Sequence, residues 1–331
     1  MTYARAASRR KVSRCRATLC FCLVLLNGHG CGSNSPPTIA FIPRTSGTTL
    51  WEAAHAGAEV AARSMQVKVY WNAPTREDDV QGQIALVERV IDRKYEGIVL
   101  APDQALALIT PVRRALRKGI PTVIIGSPLP IPPSGKLSYI LNDEEEGGQL
   151  AASRIAELLH GSGSIAVLGI NPDIAGIMTR ARSLESALAR DYPKITIVVK
   201  HMGSFNVPQD QQVAEESLRR NPDVDGIVAL TGASTRAACT ALSRSHSGRH
   251  VDLVGFDAPD AVSLLNEPYL DSVIIENSRE MGLQAITTIA AQLRGQPVKA
   301  EVKLKPVLVT RDNLNSPEVR QMISMQWRSL Q

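Results

Sequence analysis

Three stretches of the 331-residue chain bring together residue types that can do chemistry, and in each the spacing argues against it. Gly161-Ser-Gly-Ser-Ile-Ala166 satisfies a Gly-x-Gly-x-x-Ala string of the kind that cradles a pyrophosphate. That use needs the glycines after a strand and at the opening of a helix. Here a strand pattern follows them instead, so the string reads as a helix stop and turn. His246 and His250 have metal-pair spacing, but Gly248 stands between them in a loop-like setting and no Glu accompanies them. The acidic run 143–146 falls at an expected helix start, where negative charge interacts well with the helix dipole, a structural rather than a catalytic role. With no nucleophile elbow, P-loop or His-Glu-x-x-His pattern, the residues point to binding without catalysis, cofactor or metal.

A binding wall needs elements to hold it, and residues 38–62, TIAFIPRTSGTTLWEAAHAGAEVAA, supply the first. An apolar strand at 39–42 is followed by a loop of Pro, Gly and hydroxyls and then by a helix opening near Leu50. In an open α/β protein such a loop lies at the carboxyl end of the sheet, where ligands bind, so residues 44–51 are expected to form one wall of a cleft. Further strands are expected at 67–71, 97–101, 121–126, 137–141, 164–170, 195–200, 226–230, 251–256, 272–275 and 306–310. Helices fill the gaps: in 77–94 the residues Val80, Ile84, Val87 and Ile91 recur at helical spacing, and 150–159, 175–190 and 207–220 behave similarly. Strands this uniformly apolar are buried on both faces of parallel sheets. About ten strands exceed what one doubly wound sheet usually holds, so the fold class is α/β with two Rossmann-like lobes. The Pro-rich stretch SPLPIPPSG at 127–135 marks a change of course, and the lobe boundary is expected just after it.

Composition is that of a globular chain, 44% hydrophobic and 21% charged. The net charge of +5 hints at nucleic acid until its location is considered. Of 37 Lys and Arg, six (Arg5, Arg9, Arg10, Lys11, Arg14 and Arg16) fall in the first 30 residues, which hold no acid, leaving 31 bases against 32 acids. The remainder is close to neutral, and no nucleic-acid partner is expected. Basic residues up to Arg16, an apolar run at 17–26 and small residues leading to Cys31 have the plan of a signal peptide over 1–30. Gly30-Cys31 followed by Gly-Ser-Asn-Ser resembles a bacterial lipoprotein site, with a tether over 31–37, although Gly28 stands where Leu is usual. Lipidation of Cys31, plain export and an unprocessed arm are the three readings. Cys15, Cys20 and Cys22 belong to the leader, so Cys239 alone remains within the fold, as a small buried hydrophobe.

The order of several segments resembles the type I periplasmic sugar-binding proteins, the ribose-binding class whose fold also serves as the effector domain of the lactose-repressor family. The likeness runs over residues 38–310. It is carried by Asp79 with Gln83 before Val87, Gly97-Ile-Val-Leu-Ala-Pro-Asp103, Gly119-Ile-Pro-Thr-Val-Ile-Ile125 and Asn142-Asp143 with Gly147-Gly-Gln-Leu-Ala-Ala152. Later come Arg180 in a degraded Arg-x-x-Gly-Phe, Val254-Gly-Phe-Asp257 and Glu280-Met-Gly282. The resemblance implies two lobes joined by a three-crossover hinge, with 38–138 plus 277–304 in the first lobe and 139–276 plus 305–331 in the second. It also implies a monomeric, exported protein of the periplasm or cell envelope that closes on a small polar solute, such as a sugar or sugar derivative. An ABC permease or a membrane sensor would be its partner, with the membrane as anchor if Cys31 is lipidated. A repressor would carry an N-terminal helix-turn-helix, and the leader occupies that place.

The same resemblance implies which groups touch the ligand. Thr48 stands where the family often has Asn, and Leu50 with Trp51 where it has an aromatic pair; Trp51 either faces the sugar or packs the first helix onto the sheet. Asp103 closes the strand-and-loop motif, Ser127 takes the place of an Asp that pairs with hydroxyls, and Phe205 takes the place of an aromatic wall. Asp257 either projects into the cleft or caps the next helix, roles that are compatible. Glu276 lies where Gln is common, Thr231 replaces a ligand-binding Asn, and Arg180 is the candidate nearest to the usual pocket Arg, which aligns with Met178. Thr48, Ser127 and Thr231 together suggest a pocket of short hydroxyls with fewer charge-assisted bonds.

Overall fold

Apolar runs without polar interruption become short strands, and amphipathic stretches between them become the covering helices. A computed structural model describes residues 35–76, 78–204, 206–245, 249–256 and 261–326, so the expectations for the leader, Cys31, Phe205, His246 and Asp257 lie outside the described residues. In chain order the elements are β1 (Thr38–Ile42), α1 (Thr49–Met65), β2 (Lys68–Trp71), α2 (Val80–Asp92), β3 (Gly97–Leu100), α3 (Ile109–Arg117), β4 (Thr122–Gly126) and β5 (Leu137–Asn142). Then follow α4 (Glu144–Leu158), β6 (Ser162–Ile170), α5 (Ala175–Asp191), β7 (Lys194–Met202), α6 (Val207–Arg220), β8 (Gly226–Ala229), α7 (Gly232–Arg244), β9 (Asp252–Phe256), a 3-10 helix (Ala261–Asn266) and β10 (Ser272–Ile275). The last are α8 (Ser278–Leu293), β11 (Glu301–Leu304), β12 (Val307–Thr310) and α9 (Pro317–Met322).

These strands form two six-stranded sheets, ordered β2-β1-β3-β4-β5-β11 and β7-β6-β8-β9-β10-β12. Among the described pairings all are parallel except β12, which runs antiparallel to β10. Each lobe therefore has a doubly wound order whose direction reverses beside its first strand, and ligand crevices form outside the carboxyl ends at that point. Interior strands β3, β4, β5, β8 and β10 are buried along their length, while the edge strand β7 alternates exposed residues with mostly half-buried ones. Edge strands face a partner on one side only, so their pattern is mixed.

The boundary placed after residue 138 is corrected. β5 pairs with β4 and β11 as far as Asn142, so the chain leaves the first sheet beyond that residue. The Pro-rich stretch joins two neighbouring strands of one sheet rather than two lobes. Its prolines cannot sustain a helix, and the loop is held by the Tyr139 hydroxyl, which donates to the carbonyls of Leu129 and Ile131. The chain crosses after β5, after β10 and after β11. Two of the crossings end in a capped helix: Asp143 accepts from the Glu146 amide at 3.2 Å, and Asn277 from the Glu280 amide at 3.1 Å.

Helices cover both faces of each sheet. In the first lobe α1 and α8 pack against one face with Phe41 and Trp51, and α2 and α3 against the other. In the second, α4 and α5 cover one face, and α6, α7 and α9 contribute to the other. Glycine sets how closely α1 and α8 approach: a Cβ on Gly57 would stand 1.9 Å from the Arg279 carbonyl oxygen, and one on Gly282 1.9 Å from that of Ala54. Cys239 is buried and unpaired to another cysteine, and burial pushes its thiol up to about 11.

Candidate functional site

The loops at the carboxyl ends of the two sheets enclose a cleft of about 750 Å³. Its first-lobe wall is the β1–α1 loop from Arg44 to Leu50, with Thr75, Arg76 and Asp78 from the loop after β2. The second lobe contributes Ile174 and Ile177 at the start of α5, Ser204 and Asn206 before α6, and Thr231 to Ala233 with Arg236 on α7. Glu144 and Glu276, which stand at the lobe crossings, also line it.

Arg180 ties this region together. Its side chain is 2% exposed, those of Glu144 and Glu276 10% and 8%, and its guanidinium lies 4.2 Å over the Phe256 ring. Nε donates to Glu144 at 2.7 Å, Nη1 to the carbonyl of Leu230 at 2.6 Å, and Nη2 to Glu276. One arginine on α5 thus joins the two acids that follow β5 and β10. Planar guanidinium geometry suits this, because its donors fork toward several oxygens at once.

On the first-lobe wall, Arg44 lies 5.5 Å from the Trp51 ring centroid, with its Nε buried and without a hydrogen-bond partner among the described residues. The Thr48 hydroxyl is likewise buried and unpartnered, and although Thr48 occupies the N-cap position of α1 its side chain caps nothing. Behind the wall, fully buried Gln83 donates to the carbonyl of Ala101 at 2.8 Å and accepts from the Asp103 amide at 2.9 Å. The Gln83 and Asp103 of the sequence motifs therefore lock neighbouring loops together.

The lobes touch directly. Gly176 donates its amide to the Ser127 hydroxyl at 2.8 Å, and Gln104 donates to Asp173 at 3.2 Å. A Cβ on Gly176 would stand 2.8 Å from Glu144 Oε1 and 3.3 Å from the Ser127 hydroxyl, so glycine is what permits this approach.

Of the ten expected ligand-binding residues, the fold brings Thr48, Leu50, Arg180, Thr231 and Glu276 to the cleft. Thr231 also caps α7, accepting from the Ser234 amide at 3.1 Å. Trp51 takes the packing alternative: it is 2% exposed within the first-lobe core, because the apolar face of α1 needs it there. Ser127 and Asp103 are buried and are not among the lining residues. Beside the hydroxyls of Thr48 and Thr231, four arginines, Arg44, Arg76, Arg180 and Arg236, line the cleft. Arg44 was legible as part of the first loop but carried no signal of its own, and Glu144 was hidden inside a run read as a helix start. His250 meets Asp252 at 3.1 Å, and no cluster of three metal-ligating side chains occurs among the described residues. Gly161 has φ +81 and closes the turn after α4, with β6 starting at the next residue.

The sequence profile described as the periplasmic binding protein domain matches residues 39–297. The chain belongs to that family. Among its relatives, the xylitol-binding protein of Mycolicibacterium smegmatis is 23% identical over 262 residues, 78% of this chain and 73% of that protein. The ribose import binding protein of Bacillus subtilis is 23% identical over 282 residues, 85% and 89% of the two chains. A carbohydrate transporter solute binding protein from Agrobacterium radiobacter, solved in complex with D-arabinose, superposes with a TM-score of 0.82 at 24% identity, covering 88% of this chain and all of that one. A solute binding protein from Agrobacterium vitis, bound with α-D-tagatopyranose, gives 0.81 at 22%, covering 86% and 98%. Likeness at these identities establishes the fold: two parallel-dominated lobes of the type I periplasmic binding proteins.

Proposed function

We propose that this member of the family is an exported solute-binding protein that captures a sugar or sugar derivative between its lobes and delivers it to an ABC importer. The observation that carries the reading is the polar cleft at the carboxyl ends of both sheets, bounded by the lobe crossings and closed over by the Ser127–Gly176 contact. Small-molecule sites of this kind need few polar groups, provided they converge. Relatives that bind xylitol and ribose support the ligand class. The binding residues on this reading are Thr48, Leu50, Arg180, Thr231 and Glu276, joined by Arg44 and by Phe205 and Asp257. No step of catalysis is assigned to them.

On the same reading residues 1–30 are a signal peptide, Cys31 is the lipid attachment site and 31–37 a tether. The first lobe comprises 38–142 and 277–304, the second 143–276 and 305–331, and the protein acts as a monomer at the cell envelope. Mass spectrometry of small molecules co-purifying with the exported protein, followed by thermal denaturation against pentoses, hexoses, polyols and their acidic and phosphorylated derivatives, tests the reading. A compound at a hundredfold excess over its Kd adds about 2.7 kcal/mol to stability and raises Tm by several degrees. A panel with no stabilising member and no co-purified compound would sink it.

A further inference from the structure

We propose that the solute is an anionic polyhydroxy compound, a sugar acid or sugar phosphate, whose oxyanion is held by Arg44 beside the hydroxyl-rich loop of the first lobe. The inference rests on the solute-binding reading and names the class of solute. It begins with the charges on the cleft. The acidic residues among the described lining are Asp78, Glu144 and Glu276. Both glutamates bond Arg180, and Asp78 is engaged by Arg76 through a pair of bonds at 2.7 and 2.8 Å. Each of these acids therefore already faces an arginine.

Arg44 has no carboxylate partner among the described residues, and its Nε is out of contact with solvent. The guanidinium carbon lies 5.5 Å from the Trp51 ring centroid, within cation–π range. Nη2 lies close to Gly126, where a Cβ would stand 3.6 Å from it. Arg44 is thus a half-buried cation with no carboxylate beside it among the described residues, and a carboxylate or phosphate engages such a fork through two parallel bonds.

The surroundings suit an oxyanion in a second, independent way. Arg44 is followed by Thr45, Ser46, Gly47, Thr48 and Thr49, all lining the cleft, and the buried Thr48 hydroxyl has no partner among the described residues. The helix starts that line the cleft are unequal. Asn206 and Thr231 cap α6 and α7 with their side chains, and Asp143 and Asn277 cap the helices after the crossings. By contrast α1 begins at Thr48 without a side-chain cap, whereas at the start of α5 the Gly176 amide is already taken by the Ser127 hydroxyl. Uncapped amides at helix starts favour anionic oxygens.

Calorimetry on the exported protein with matched sets tests this: D-ribose, D-ribonate and D-ribose 5-phosphate, and D-glucose, D-gluconate, D-glucuronate and D-glucose 6-phosphate, extended by any co-purified compound and its neutral counterpart. An anionic member is expected to bind at least roughly tenfold more tightly than its neutral parent, and more weakly as salt is raised. Arg44→Met is expected to weaken that member roughly 10- to 100-fold, and by a clearly larger factor than it weakens the neutral parent, with Arg44→Lys between the two. The acid and phosphate arms separate the two sources of oxyanion. Thermal denaturation of each ligand-free variant controls for folding, and Thr48→Val supplies a second variant that removes one hydroxyl without touching the charge. Binding confined to neutral sugars, or an anion whose affinity is indifferent to Arg44→Met, overturns the inference and leaves the solute-binding reading standing. No binding by any member, with no co-purified compound, overturns both.

Discussion

The guanidinium of Arg180 bonds groups from three separated parts of the chain: Glu144, Leu230 and Glu276. Removing the cation from between two buried carboxylates leaves uncompensated charge, so Arg180→Met is expected to lose about 3–5 kcal/mol of unfolding free energy in urea titrations. Adding Glu144→Gln and Glu276→Gln to it should restore most of that loss, because the penalty belongs to the unpaired acids. Arg180→Lys should rescue only in part, since one ammonium cannot fork to three acceptors. An Arg180→Met midpoint equal to that of the parent protein would show that these bonds are not structural. Arg180 and Glu276 could be singled out from the resemblance, but Glu144 could not. An acid in the first turn of a helix has a sufficient local reason to be there, and its bond to Arg180 spans 36 residues of sequence.

The helix pairs depend on glycines whose need is invisible along the chain. Gly282→Ala would drive a methyl group to 1.9 Å from the Ala54 carbonyl oxygen, so α1 and α8 must separate. Overpacking of this kind costs about 1–3 kcal/mol, which a fall in Tm would register. Gly57→Ala, which presses on the same helix pair from the other side, should cost a similar amount. The double variant should cost less than the sum of the two, because one separation relieves both clashes. A fully additive double variant would argue that each glycine acts alone. Most elements were legible because apolar runs and helical spacing are local. β11 was not: Glu301–Leu304 is a four-residue edge strand with mixed burial, and the sequence signals no strand there. Such strands owe their state to the neighbour they pair with more than to intrinsic preference.

At the scale of the molecule, function depends on the free-energy difference between open and closed lobes. The Ser127 hydroxyl accepts the Gly176 amide across the lobes, a bond that exists only when they are together. Ser127→Ala should therefore lower ligand affinity about fivefold, corresponding to about 1 kcal/mol. It should leave the ligand-free Tm nearly unchanged, since each lobe keeps its own core. Titration calorimetry would read the first effect, and small-angle scattering an increase in the open fraction at a fixed ligand concentration. An unaltered affinity would remove Ser127 from the closure mechanism. A ligand favours closure only through its stronger interaction with the closed state, so contacts outside the cleft add to that difference as contacts within it do.

From the sequence alone came the α/β class, the two lobes, most strands and the first loop as a cleft wall, because hydrophobic period and turn residues act between near neighbours in the chain. The fold alone decided which polar groups meet: Arg180 with Glu276 across 96 residues, Ser127 with Gly176 across 49, and Arg44 beside the Trp51 ring without a carboxylate among the described residues. Those meetings follow from where the chain crosses between lobes and how closely glycines let helices approach, and neither leaves a periodic signal in the order of residues.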